Sequence, residues 1–136
     1  MKFIGFNFNK INVEKTSTNF EDLKIKTNID VSEIKKVKSD FLKQKDELIN
    51  IDFTYNIDYN PKIAKIKLSG NVILADKLKT IKEILKKWED KKMEEDFKIN
   101  LFNIILRKSN LKAMQLEDEL NLPLHINLPF LKKGDN

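Results

Sequence analysis

Residues 49–74, "INIDFTYNIDYNPKIAKIKLSGNVIL", leave the chain few ways to fold. Ile49, Ile51, Phe53, Tyr55, Ile57 and Tyr59 occupy every second position, with Asn50, Asp52, Thr54, Asn56 and Asp58 between them. Side chains along a strand alternate between its faces, so this stretch is a long strand with one apolar side. Residues 60–63 read as a four-residue turn whose backbone is fixed by Pro61. Folding back across it sets Tyr59 against Ala64, Ile57 against Ile66, Tyr55 against Leu68, Phe53 against Gly70, Ile51 against Val72 and Ile49 against Leu74. In that register the whole apolar set lies on one face. Asp58 meets Lys65 on the other, a favourable cross-strand pair, and Phe53 covers the bare backbone at Gly70.

Upstream, Ile4, Phe6 and Phe8 alternate with Gly5, Asn7 and Asn9 in a first strand over 3–14. Its phase then slips to Ile11 and Val13, which predicts a bulge near Asn9 and Lys10. Residues 14–20, with their turn formers and Phe20, read as a crossover loop. A second strand follows, carrying Leu23, Ile25, Thr27, Ile29 and Val31 on one side. Residues 32–48 fit either a helix, through Ile34, Val37 and Phe41, or strand extension and a polar hairpin; the hairpin is preferred.

After Ala75 the period changes to that of a helix. Asp76 is placed to cap it, and Leu78, Ile81, Ile84, Leu85 and Trp88 form its apolar stripe. A longer helix is expected from about Glu94, where acidic residues suit the positive end of its dipole, to before Pro123. Around 101–106 it is apolar on more than one face, which calls for two neighbours or a groove. The closing segment "NLPLHINLPFLKK" is framed by Pro123 and Pro129 and is expected to be extended. Four strands followed by two helices make an α+β chain with a four-stranded antiparallel sheet and two C-terminal helices packed on it. The length, 136 residues, suits a single domain over 1–136.

Composition excludes several kinds of chemistry. The chain has no cysteine and one histidine, His125. A disulfide framework, a thiol nucleophile and the usual zinc sites are therefore ruled out. His125 has no second histidine or cysteine with which to bind metal, and it reads as a structural or surface residue. The glycines, Gly5, Gly70 and Gly134, build no phosphate loop. Acidic neighbours such as Glu117 and Asp118 point apart on a helix. No catalytic residues, metal or cofactor are expected, and the chain is read as a non-enzyme. The net charge of +5 comes almost wholly from lysine, with Arg107 the one arginine. Base readout and bidentate phosphate grips favour arginine, so nucleic-acid binding is a minor alternative. No run approaches the roughly 20 apolar residues of a membrane span. The N-terminus has no signal-peptide pattern, and a cytoplasmic location is expected. Aromatic residues exceed what one sheet face and two helices would hide, which points to oligomerisation or an apolar partner.

The order of elements resembles the SecB family of export chaperones. "AKIKLSGNVIL" followed by a short helix is similar to the family's fourth strand and first helix. "NLFNIILRK" resembles the start of its long helix, with Leu101, Phe102 and Arg107 at like positions. "LPLHINLPF" resembles its proline-framed closing segment, with Asn127 and Pro129 in place. The resemblance implies a homotetramer, a dimer of dimers built on residues 3–14 and 77–92, with Phe6, Leu78, Ile81, Leu85 and Trp88 at the interface. It also implies an ATP-independent holdase for non-native polypeptides or preproteins. The client groove would then involve Phe8, Val13, Phe20, Leu23, Ile25, Phe102, Leu106, Leu124 and Ile126. Typical members are acidic and dock on the SecA motor through an acidic sheet face. Here that face carries Lys65 and Lys67, which argues against the SecA hand-over. A dedicated adaptor for one partner, such as an antitoxin, is the alternative.

Overall fold

The computed structural model describes residues 1–38 and 46–134. Its elements are β1 (Lys2–Lys15), β2 (Lys24–Val37), β3 (Asp46–Asn60), β4 (Ala64–Lys77), α1 (Leu78–Trp88) and α2 (Glu95–Glu119). The strands form one antiparallel sheet in the order β1-β4-β3-β2, so β1 and β2 are its edges. The fold is α+β, with both helices following the sheet and packed on one face of it.

The β3–β4 register is the one the alternation dictates. Tyr59 pairs with Ala64, Ile57 with Ile66, Tyr55 with Leu68, Phe53 with Gly70, Ile51 with Val72 and Ile49 with Leu74. Asp58 pairs with Lys65 on the opposite face. All six apolar β3 residues of this set are buried, because period-two patterning fixes which side meets the helices. Strand β2 runs on through residues 32–37 and pairs there with the start of β3, Val37 opposite Leu48. Of the preferred hairpin, residues 46–48 form the start of β3, and its middle, 39–45 with Phe41, lies outside the described residues.

The edge strands are bulged and the central pair is not. β1 shifts register between Phe8 and Lys10, as its phase slip predicts, and again between Phe3 and Gly5. β2 shifts between Val31 and Glu33. The first bulge presses β1 against Gly70. A Cβ there would lie 2.0 Å from the carbonyl oxygen of Asn7 and 3.0 Å from Cα of Phe8. Glycine is therefore needed at 70 for backbone approach, beyond any cover from Phe53.

The sheet's other face is polar. Asn71 Nδ2 donates to Asn50 Oδ1 at 2.6 Å, and Asn50 Nδ2 donates to Asp52 Oδ1 at 2.9 Å. The hydroxyls of Thr54 and Ser69 lie 3.2 Å apart on the same face. On the apolar face the core forms two clusters along β3. Ile49, Ile51 and Phe53 pack with Ile81, Trp88, Phe97, Leu101 and Ile105. Tyr55, Ile57 and Tyr59 pack with Ile63, Ile66, Leu68, Ala113 and Leu122. Helix α2 thus runs the length of β3 and bridges the two.

β4 enters α1 without a loop. The N-cap is Lys77 rather than Asp76, and no side chain caps it. Asp76 Oδ1 instead accepts the Lys77 N–H at 2.7 Å, one residue too early to reach the first turn. Both helices end in the same turn. The N–H of Lys92 reaches the Lys87 carbonyl and that of Lys91 the Trp88 carbonyl; Leu122 and Asn121 repeat the pattern on Glu117 and Asp118. These are Schellman pairs, with left-handed backbone at Lys91 (φ 57) and Asn121 (φ 53). The second turn reverses the chain and lays the closing segment against α2.

Candidate functional site

Helix α2 buries one residue per four: Phe97, Leu101, Ile105, Ser109, Ala113 and Glu117. This row faces the sheet, and Phe102, Ile104 and Leu106 on its flanks are only half-buried. The expected two-sided apolarity of 101–106 is therefore real. Flank side chains pack on the core at one edge and meet solvent at the other.

The candidate groove residues fall into two groups. Val13, Phe20, Leu23, Ile25 and Leu106 are half-buried against the Tyr55–Tyr59 cluster, where the crossover loop passes. Phe102 packs at the other end with Trp88 and Met93, and Phe8 touches both clusters. Leu124 and Ile126 are half-buried in the closing segment. The crossover loop is pinned to the β3–β4 turn, where the N–H groups of Thr16 and Ser17 both reach the Ile63 carbonyl. Lys15 Nζ donates to the Leu120 carbonyl at 2.8 Å and ties the end of β1 to the end of α2. Of the residues expected to face a second copy, Ile81 and Trp88 lie in this chain's own core. Phe6 and Leu85 are half-buried against that core, and Leu78 is exposed.

Beneath the closing segment lies a buried polar cluster that sequence reasoning missed. Glu117 is fully buried, and the His125 side chain is 2% exposed. Nδ1 of His125 lies 2.8 and 2.9 Å from the two oxygens of Glu117, and Nε2 lies 2.8 Å from Asn110 Oδ1. Tyr55 donates to the same Asn110 oxygen at 2.6 Å. Both ring nitrogens thus lie within hydrogen-bond distance of side-chain oxygens, Nδ1 of the Glu117 carboxyl and Nε2 of the Asn110 amide. The Tyr59 hydroxyl has one proton and two acceptors, Glu117 Oε2 at 2.5 Å and the Pro123 carbonyl at 2.6 Å. The cluster joins β3, α2 and the segment carrying Leu124 and Ile126. With both nitrogens bonded within the protein, the buried ring ties that segment to α2. Among the described residues, no group of three or more His, Asp or Glu is arranged to hold a metal ion.

The tyrosines give this cluster a direct readout. Burial first, then the nearby Glu117 charge, pushes the Tyr55 hydroxyl up from 10.0 to about 12. Burial, then the hydrogen bond to Glu117, raises Tyr59 further. A pKa raised by folding gives stability that is complete below the unfolded value near 10 and is lost as pH rises through the folded one. Tyr55 and Tyr59 are the chain's two tyrosines. Tyrosinate absorbance should therefore stay flat through about pH 10 and appear only toward pH 12, together with unfolding. A reversible tyrosinate transition centred near 10 in the folded protein would mean that these hydroxyls face water.

No protein-family model matches the chain, and no curated protein matches it either. Among solved structures it is similar to a SecB-like chaperone of Mycobacterium tuberculosis, determined in complex with a ChAD peptide from the HigA1 antitoxin. The match covers 98% of this chain and 92% of that one, with a TM-score of 0.50 and 10% sequence identity. The fold is SecB-like. At this identity the likeness is one of architecture, and function has to be argued from the surface. Among the described residues, no helix is long and apolar enough to cross a membrane.

Proposed function

We propose that this chain, as one SecB-like domain over 1–136, is an ATP-independent chaperone that holds non-native polypeptides. The observation that carries the reading is the pair of half-buried apolar flanks beside α2, left so on a SecB-like scaffold. Val13, Phe20, Leu23, Ile25 and Leu106 line one flank and Phe102 the other. Clients bind there by apolar burial, at about 25 cal/mol per Å² removed from water, in extended form. Copies of the chain associate as a tetramer through β1 and α1, where Phe3, Ile4, Ile11 and Leu78 are exposed. The protein works in the cytoplasm, without a cofactor and without the SecA motor.

The decisive experiment is suppression of aggregation. A chemically denatured model protein is diluted into increasing ratios of this chain without ATP, at low and moderate salt. Protection near stoichiometric ratios is expected and should change little with salt, because apolar burial is weakly screened. A lysine-driven nucleic-acid binder would instead show affinity for nucleic acid that falls steeply with salt. The second reading, an adaptor dedicated to one polypeptide, is favoured by one observation: the Mycobacterium neighbour was solved with an antitoxin peptide. It predicts no general protection and tight binding of a single partner.

A further inference from the structure

A cleft of about 490 Å³ opens between the edge strand β2, the end of α1 and the start of α2. Ile29, Val31, Trp88, Met93 and Phe102 supply its apolar lining, and Lys91 and Lys98 stand at it with them. The ammonium of Lys91 lies 4.6 Å from the Trp88 ring centre, and that of Lys98 lies 5.4 Å from the Phe102 ring centre. Both are within cation–π range. Lys91 is placed there by the backbone: its left-handed φ of 57, in the turn that closes α1, folds it back over the ring of Trp88. Lys98 lies one helical turn before Phe102 on α2, which brings its ammonium over that ring. Asp30 is the one carboxylate in the lining. The same pairing recurs on the other flank, where Lys15 stands over Phe20 at 5.9 Å.

Each of these three rings thus has a lysine ammonium over it. We propose that this surface selects extended polypeptide segments in which large apolar side chains are flanked by carboxylates, and disfavours segments flanked by lysine or arginine. This rests on the holdase reading and adds a client chemistry to it. An apolar side chain displaces the lysine from the ring face. The displaced ammonium then needs a partner, and a carboxylate one or two residues along the client supplies it. A basic flank meets like charge at the same point. β2 is an edge strand, so its outward N–H and C=O groups are available to an extended backbone alongside the cleft.

The test uses two fluorescently labelled peptides with the same apolar core of Leu, Phe and Trp, one flanked by Glu and the other by Lys. Anisotropy titrations are made with the full chain at about 20 mM and about 500 mM salt, which brackets strong and weak screening. The Glu-flanked peptide should bind roughly five- to tenfold tighter at low salt, the scale of two exposed ion pairs, and the gap should close at high salt. Charge reversal with Lys91→Glu and Lys98→Glu should invert the preference. Lys91→Gln with Lys98→Gln should shrink the low-salt preference to the part that Lys15 carries. Both changes are on the surface, and circular dichroism checks that the fold persists. Equal binding of the two peptides, or a preference that survives charge reversal, overturns the proposal. If aggregation protection persists in that case, the holdase reading stands without the charge rule. If neither peptide binds and protection is absent, both fall together.

Discussion

Glu117→Ala should destabilise the fold by about 3–5 kcal/mol, the scale for removing one partner of a fully buried, hydrogen-bonded acid–imidazole pair. The substitution strands His125 and leaves Tyr59 only the Pro123 carbonyl as acceptor. His125 loses the acceptor for Nδ1, and Tyr59 loses Glu117 Oε2 at 2.5 Å. His125→Ala should lose a similar amount, because the fully buried Glu117 carboxyl then keeps only the Tyr59 hydroxyl and the long bond from the residue-125 N–H. Replacing both residues by leucine removes the two buried polar groups together, and such swaps are often close to neutral. The double variant should therefore be markedly more stable than the sum of the single losses predicts. Urea unfolding at neutral pH of the parent, Glu117→Leu, His125→Leu and the double leucine variant closes the cycle that measures this. A loss below about 1 kcal/mol for Glu117→Ala is the size of an exposed pair, and would place this one in solvent. His125→Ala also releases the closing segment, so client affinity should fall with stability if Leu124 and Ile126 line the groove.

Gly70→Ala is expected to cost at least about 3 kcal/mol, the upper end for overpacking a filled site. A methyl at this position would sit 2.0 Å from one backbone atom, 2.9 Å from a second and 3.0 Å from a third, all in β1. No rotamer change relieves a clash with backbone, so β1 must lift away from β4. For a chain of this size the expected drop in melting temperature is roughly 10 °C. Gly5→Ala is the matched control, since a Cβ there meets nothing within 4 Å. If both variants melt alike, the close approach of β1 to Gly70 is not a feature of the folded protein.

The contrast between these residues marks what could be read in advance. Strand pairing was legible because β3 and β4 alternate strictly, and a slip by one residue would turn Tyr55, Ile57 and Tyr59 out to water. The Phe8–Lys10 bulge was legible for the same reason. The Val31–Glu33 bulge left an equal trace, the slip from Val31 to Ile34, inside a stretch that also fitted a helix. The polar cluster was hidden. Tyr55 and Tyr59 look like any other ring in an apolar alternation, and Glu117 looks like one acid among several. The available signal was the four-residue row on α2, from Phe97 through Ile105 to Ala113, which carries Glu117 to the sheet. What sat opposite it depended on where the closing segment landed, and that is set by a turn around Asn121 with no glycine to announce it. Asp76 misled because strand and helix join there without a loop.

The strand order also has a consequence for synthesis. β2, β3 and β4 are neighbours in both sequence and sheet, so each can pair with the strand made just before it. β1 cannot. It is made first, its partner begins only at Ala64, and between them the ribosome must deliver both other strands. Closing so long a loop is entropically unfavourable until the rest of the sheet is in place to receive it. During that interval β1 is an unpaired strand carrying Phe3, Ile4, Phe6, Phe8 and Ile11. The nascent chain therefore spends its first moments exposing an apolar, extended segment of the kind proposed above as its client.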